Sequence, residues 1–437
     1  MGNVRLWTII VSVVCGSGPL ARGADWSQFR GPSGDGHVEQ QLPSLWSLAD
    51  NTRWRTEVPG EGWSSPVVVA GRIYLTAAIP VSNSPAATLA TQPEATTGEA
   101  DGASAAKDFD LYLLAFDGAT GQALWRTALF VEQSATAPQI HQKNSHASPT
   151  PFFDGQHLFV HFGHQGTACV TLDGQIVWRN ASLAYEPVHG NGGSPVVVGQ
   201  HVIFSRDGKE ISEITALDKT TGQIAWQTPR DVEVSRRFSF CTPLVLELDG
   251  QTQLILPGSD VVQSLDPQTG QELWRVRYHG YSVIPKPIYH DGVVLISTSY
   301  DRPTLLAIDP TGRGDVTDTH VRWQTASAAI PHTPSLVARQ GVVAMISDKG
   351  IASAYDVSNG QELWKERIGG NYSASPLLSD SHMHLLSEEG DYTVLDISGS
   401  PREVHRTKLG ERTLASPAVI DNDLVIRTAQ ALYRIGR

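Results

Sequence analysis

Little in this chain invites a chemical reading at first sight. Cysteine is scarce, with only Cys15, Cys169 and Cys241 in 437 residues, so no disulfide framework of a small secreted domain can be built. Cys169 and Cys241 lie two sequence repeats apart, too far to pair, and we expect both to be buried, inert thiols. Charged residues make up only 18% of the chain, the net charge is -12, and no Lys/Arg cluster interrupts it, which removes the basic footprint of a nucleic-acid binder. No apolar run is long enough to span a bilayer. Absent too are a Gly-x-Ser-x-Gly elbow, a phosphate loop, an HExxH helix and a calcium loop, so the common hydrolytic and metal signatures are missing. No stretch calls for a long helix.

What is present is a repeat. A Ser-Pro or its equivalent, a short apolar run, a tight turn and a second apolar run recur at Ser65-Pro66, Ser148-Pro149, Ser194-Pro195, Thr242-Pro243, Lys286-Pro287, Thr333-Pro334, Ser375-Pro376 and Ser416-Pro417. The prolines are 83, 46, 48, 44, 47, 42 and 41 residues apart, and a period in the forties points to a propeller or similar array. Runs such as Val196–Val198 and Val202–Phe204, separated by Gly199-Gln200, are β-branched and bounded by turn residues, which is a hairpin pattern.

A second hairpin follows in most repeats. It carries an Asp, a Gly four residues on and a Trp four further, as in Asp117, Gly121 and Trp125, or Asp218, Gly222 and Trp226. Asp bonds the turn backbone and Gly takes the positive φ, so the pair has a conformational reason to recur. Seven of the eleven tryptophans fill this slot, and we expect them to wedge each blade against its neighbour. His405 occupies the slot in the seventh repeat, where weaker packing is expected.

Two hairpins make a four-stranded blade. The chain ends at Ala431–Ile435, one strand short of an eighth blade, and Thr52–Thr56 can supply that outer strand. The expected fold is therefore all-β: an eight-bladed β-propeller of four-stranded antiparallel blades, closed by an N-terminal strand, filling residues 25–437 as one domain. The first 24 residues read as a secretory signal peptide, with Arg5, an apolar core from Leu6 to Cys15 and a small-residue site at Ala21 to Ala24. Its removal takes two positive charges and leaves about -14. Residues 81–107, rich in Ala, Thr, Ser and Gly, read as a low-complexity loop inserted in the first blade and a candidate screen for the channel mouth.

Eight inner strands converge on one channel, so their entry links form a funnel, the usual setting of a small-ligand site. Trp63, His146, Asn191, Arg237, Lys286, His332 and Tyr372 lie in or beside those links and are the candidate ligand-binding residues. His189, His332 and His146 could meet across the funnel. The histidine-rich stretch from His141 to His164 gives no metal site by spacing: His157 and His161 in one strand stand about 13 Å apart, too far for one ion. Arg313-Gly314-Asp315 falls in a long hairpin turn and reads as loop chemistry.

Leu265-Asp266-Pro267-Gln268-Thr269-Gly270-Gln271-Glu272-Leu273-Trp274 resembles the tryptophan-docking motif of quinoprotein dehydrogenases, and the Ser-Pro periods resemble the PQQ-like, BamB-like propellers of bacteria. The opening Asp25-Trp26-Ser27-Gln28-Phe29-Arg30-Gly31-Pro32 resembles the start of exported PQQ-like repeat proteins. The resemblance covers nearly all of residues 25–437. It implies an exported, periplasmic or extracellular bacterial protein, monomeric, acting as a non-catalytic scaffold for another exported or cell-envelope protein. In that reading it has no cofactor, no metal and no catalytic residue. The alternative it implies is a quinoprotein oxidoreductase holding PQQ with calcium in the funnel, with Trp63 or Tyr372 stacking and Lys286, Arg236 or Arg237 on the carboxylates. Departures from the enzyme pattern are the lack of adjacent cysteines, of matching calcium ligands and of the enzymes' extra length. The departure from the lipoprotein pattern is Val14 before Cys15, where a lipid-anchored chain has a small residue.

Overall fold

A computed structural model describes residues 25–81, 108–234 and 236–437. The proposed signal peptide and all but the first residue of the proposed 81–107 loop lie outside the described residues. Eight sheets follow one another in chain order, with inner strands beginning at Val67, Phe152, Val196, Leu244, Ile288, Val337, Leu377 and Ala418. We number the blades 1 to 8 in that order. Inner strands of blades 1 and 2, and of blades 1 and 8, touch, so the sheets close into a ring. Thr52–Glu57 pairs antiparallel with Ala431–Ile435 and completes blade 8 from the N-terminal side. Pairing this N-terminal strand with the last makes ring closure part of the global fold and removes two free edges.

The blades carry apolar side chains on both faces and bury them against each other. Leu254, Ile255 and Leu256 of blade 4, all 0% exposed, pack alternately toward blades 3 and 5. The slot tryptophans seal the outer part of these contacts. Trp54, Trp178, Trp226 and Trp323 donate their ring N–H to a carbonyl in the next blade's turn, at 2.8 to 3.2 Å. Their rings lie so close over Gly121, Gly222, Gly270 and Gly360 that an added Cβ would stand about 2.5 to 2.6 Å from ring carbon, and each of these glycines has φ near +73°. Thr56, Thr228 and Thr325, two residues beyond the tryptophan, donate to the same glycine's carbonyl. The recurrent Gly thus serves the turn and the neighbouring ring at once.

Three features depart from the sequence reading. His405 does not leave a weak joint: its Nε2 meets the backbone of Trp46, whose ring lies 5.1 Å from Tyr392 and is 3% exposed, so the N-terminal segment supplies the missing aromatic. Blades 4 and 7 have a fifth strand. Gly314–Asp315 adds parallel to the outer edge of blade 4, with Asp315 on Arg277 at 3.0 Å, and His37–Val38 adds parallel to the inner strand of blade 7. Finally, the strand-entry position is Thr150 rather than Ser148 in blade 2, and Ser335 rather than Thr333 in blade 6. Both sit two residues further along, where cross-blade hydrogen bonds place them in register with the other blades. Among the described residues no helix is long and apolar enough to cross a membrane.

Candidate functional site: a floored central funnel

The entry residues form a ring around the channel. Ser65 N–H donates to Thr150 Oγ1, Thr150 N–H to Ser194 Oγ and Ser194 N–H to Thr242 Oγ1; a second arc runs from Lys286 N–H to Ser335 Oγ, then to Ser375 Oγ and Ser416 Oγ, all at 2.8 to 3.0 Å. Seven of the eight positions carry a hydroxyl, and Lys286 is the exception. The seven hydroxyl residues line one cavity of about 270 Å³ at the channel mouth.

Its floor is made by the first described residues. Trp26 bridges to Val68 in blade 1, Ser27 O accepts from Phe153 N–H in blade 2, and Gly36 O accepts from Leu378 N–H in blade 7. The segment therefore crosses the channel a few residues deeper than the ring, and Phe29 faces the cavity from below. The tight turns at Gly31, Gly34 and Gly36 let it fold back; a Cβ on Gly34 would stand 2.1 Å from Lys286 Nζ. Arg30, 1% exposed, reaches the carbonyls of Asp35 and Leu336 through one nitrogen.

The walls differ on two sides. On one, His141, His189, Phe238, Tyr281 and Tyr300 follow one another with ring centroids 5.4 to 5.9 Å apart, and His332, outside the lining, packs on Tyr300 at 4.7 Å. Burial holds the imidazoles of His141 and His189 below their ordinary pKa, favouring the neutral form. On the other side, Lys143 reaches from the blade 2 entry to Glu388 of blade 7 at 2.8 Å and Asp348 of blade 6 at 3.9 Å. Asp348 in turn accepts from the backbone of His332 and Thr333. Arg412 lies over the Trp63 ring at 5.6 Å and donates to Gln142 O.

Of the seven residues picked from sequence, the structure brings Trp63 alone to the cavity wall. His146 is drawn away to Glu132, 3.5 Å off, and stacks on Phe109. Asn191 ties Tyr185 to His164. Arg237 borders a separate hollow with Arg230, Asp231 and Glu233. Lys286 turns down into the floor, 3% exposed, and burial with Arg30 nearby lowers its pKa to about 8. Tyr372 is buried among the apolar residues between blades 6 and 7. His332 packs on Tyr300, so His146, His189 and His332 do not meet. Among the described residues no group of His, Cys, Asp or Glu is placed to hold a metal ion. Of the donors expected for PQQ carboxylates, Lys286 and Arg237 do not line the cavity, while Arg236 stacks over Tyr281 of its wall at 4.2 Å, and we derive no redox step there. Sequence reading missed Phe29, Lys143, Tyr300 and the hydroxyl ring. The hydroxyl before proline in most repeats was the available signal, there taken only as a strand start.

These features define an eight-bladed, PQQ-like repeat propeller with a funnel closed at one end. The chain belongs to the family described as outer membrane protein assembly factor BamB, whose profile matches residues 110–309 and 307–433. It is 25% identical over 215 residues to the outer membrane protein assembly factor BamB of Yersinia pestis, covering 45% of this chain and 51% of that protein, so the match spans about half the relative's length. Among solved structures, BamB from Moraxella catarrhalis aligns with a TM-score of 0.57 and 15% identity, over 88% of this chain and 99% of that one. A europium-containing methanol dehydrogenase aligns with a TM-score of 0.57 and 11% identity, over 93% and 90%. At such identities these two show the shared fold alone.

Proposed function

We propose that this protein is an exported bacterial, BamB-like propeller that binds another cell-envelope protein and performs no chemistry of its own. The carrying observation is a band of exposed aliphatic side chains near the start of three consecutive outer strands: Leu124 in blade 1, Ile176 and Val177 in blade 2, and Ile224 in blade 3, each 38 to 47% exposed. Their tryptophan neighbours are held inward by the docking contacts, which leaves these aliphatics facing out. Apolar side chains repeated this way on the outer strands of neighbouring blades mark a contact site. Membership of the BamB family supports the same reading. The cavity, at about 270 Å³, sits just below the range of pockets that enclose drug-sized ligands.

The test is photo-crosslinking in the native host, with the reactive residue placed at Leu124 or Ile224. A single envelope protein should be captured at both positions, and the triple variant Leu124→Lys, Val177→Lys, Ile224→Lys should lose at least ninety per cent of its association. Association that survives the triple variant but disappears in Trp63→Ala would move the function into the funnel. Quinone binding is the second reading, and the aromatic wall of the funnel is what favours it.

A further inference from the structure

The hydroxyl ring has an unused capacity. Thr150, Ser194, Thr242, Ser335, Ser375 and Ser416 each accept a backbone N–H from the preceding blade. Among the described residues none of these six oxygens donates to a protein acceptor, so each O–H hydrogen remains available to a group in the channel. All six line the same cavity. Such a ring converges donors on one axis, as a nest of backbone N–H groups does.

Directly beneath it the charge is unbalanced. Arg30 is 1% exposed, and its Nε and Nη1 have no hydrogen-bond partner among the described residues. Its other nitrogen lies on Leu336 O, one residue below ring position Ser335. Lys286, itself a ring position, buries its ammonium in the same floor. Arg427, 1% exposed with Nε unpartnered, backs Ser64 beside ring position Ser65. The nearby Asp35 carboxylate bonds Ser33 and His37 N–H and attracts both Arg30 and Lys286, so one negative charge is shared between two buried cations. Burial lowers the pKa of Arg30 to about 10 and of Arg427 to about 9, as expected for cations without full compensation. A buried charge without full compensation is costly, and a counter-ion is the direct remedy.

We propose that the floor of the funnel is a binding site for a small monovalent inorganic anion of halide type, held between the ring hydroxyls and the Arg30 and Lys286 side chains. The anion would accept from several O–H groups and from the free guanidinium N–H groups, and would lock the N-terminal segment into the channel.

The experiment uses residues 25–437. Melting temperature is followed against chloride at constant ionic strength, with a large sulfonate such as MES as the balancing anion, and crystals soaked in bromide are examined for anomalous signal. The site predicts a saturable, chloride-specific rise in melting temperature, by mass action on the folded state. It also predicts one bromide within hydrogen-bond reach of the ring hydroxyls or Arg30. Arg30→Gln and Lys286→Met should each weaken the halide at least tenfold. A melting temperature that follows ionic strength alone, or bromide found only on the outer surface, would overturn the assignment. Should Arg30→Gln fail to fold, bromide diffraction from the unaltered protein still decides.

Discussion

Lys143 Nζ lies 2.8 Å from Glu388 Oε1, joining the entry of blade 2 to a turn of blade 7 across the channel mouth. Both side chains are largely sheltered, at 25% and 14% exposure, so the pair is screened less than a surface ion pair. Lys143→Met should lower stability by about 1–2 kcal/mol, chiefly through the stranded carboxylates of Glu388 and Asp348. The check is urea denaturation of the two proteins side by side; an unchanged midpoint would mean the bridge adds nothing to the fold.

A second prediction concerns Arg230 and Asp207. The guanidinium grips both carboxylate oxygens at 2.9 Å, and both side chains are at most 1% exposed, at the junction of blades 3 and 4. Burial pushes the Asp207 carboxyl above its ordinary range even with Arg230 on it. Removing one partner alone strands the other charge, so Asp207→Ala or Arg230→Met should cost about 3–5 kcal/mol. The double variant should recover part of that loss in a double-mutant cycle.

Acid stability follows from buried imidazoles. His161 bonds Thr167 and stacks on Phe204, and His384 bonds the Tyr392 hydroxyl; burial holds both at a pKa of about 3. The unfolded chain binds those protons near pH 6.5, so their contribution is complete above that pH and is lost progressively as pH falls toward 3. Glu132 adds to the lower part of this range. Although burial opposes it, hydrogen bonds from His146 and His164 bring its carboxyl to about 2, so its contribution also fades below about pH 4.5. Stability measured from pH 7 to 3 should fall steadily, and His384→Gln should flatten that slope; an equal slope would show that His384 is not protonated on unfolding.

The tryptophan docking joint gives a further prediction. Gly222 has φ +72°, and a Cβ there would stand 2.5 Å from the Trp178 ring. Gly222→Ala should cost roughly 2–4 kcal/mol from overpacking and backbone strain together. Gly292→Ala, also at positive φ but with nothing within 4 Å, should cost only the strain, roughly 1–2 kcal/mol. Comparing the two melting curves separates the clash from the conformational term.

A last prediction addresses the quinone alternative. Titration with PQQ, with and without calcium, should leave the melting temperature and tryptophan fluorescence of residues 25–437 unchanged. Saturable stabilisation abolished by Trp63→Ala would instead restore the enzyme reading.

The blade was legible because its signals are local. Asp and Gly at fixed offsets set the turn, β-branched runs set the strands, and a repeat of eight such units has few ways to bury its faces. Even the closing strand at Thr52–Glu57 could be found by counting. The funnel residues were less legible, since position in an entry link does not say which way a side chain turns. Lys286 and Tyr372 stand beside the channel in sequence, yet one descends into the floor and the other packs between blades.

Period, turn chemistry and strand pattern, all short-range properties, determined by themselves that this chain is a closed eight-bladed propeller. Only the tertiary structure decided that Phe29 and Arg30 floor the channel, that Trp46 replaces a missing aromatic beside His405, and that Lys143 spans the mouth. Each of these joins residues hundreds of positions apart or on separate blades, and such meetings depend on ring closure and on which buried groups can satisfy one another, neither of which is written in any local stretch of sequence.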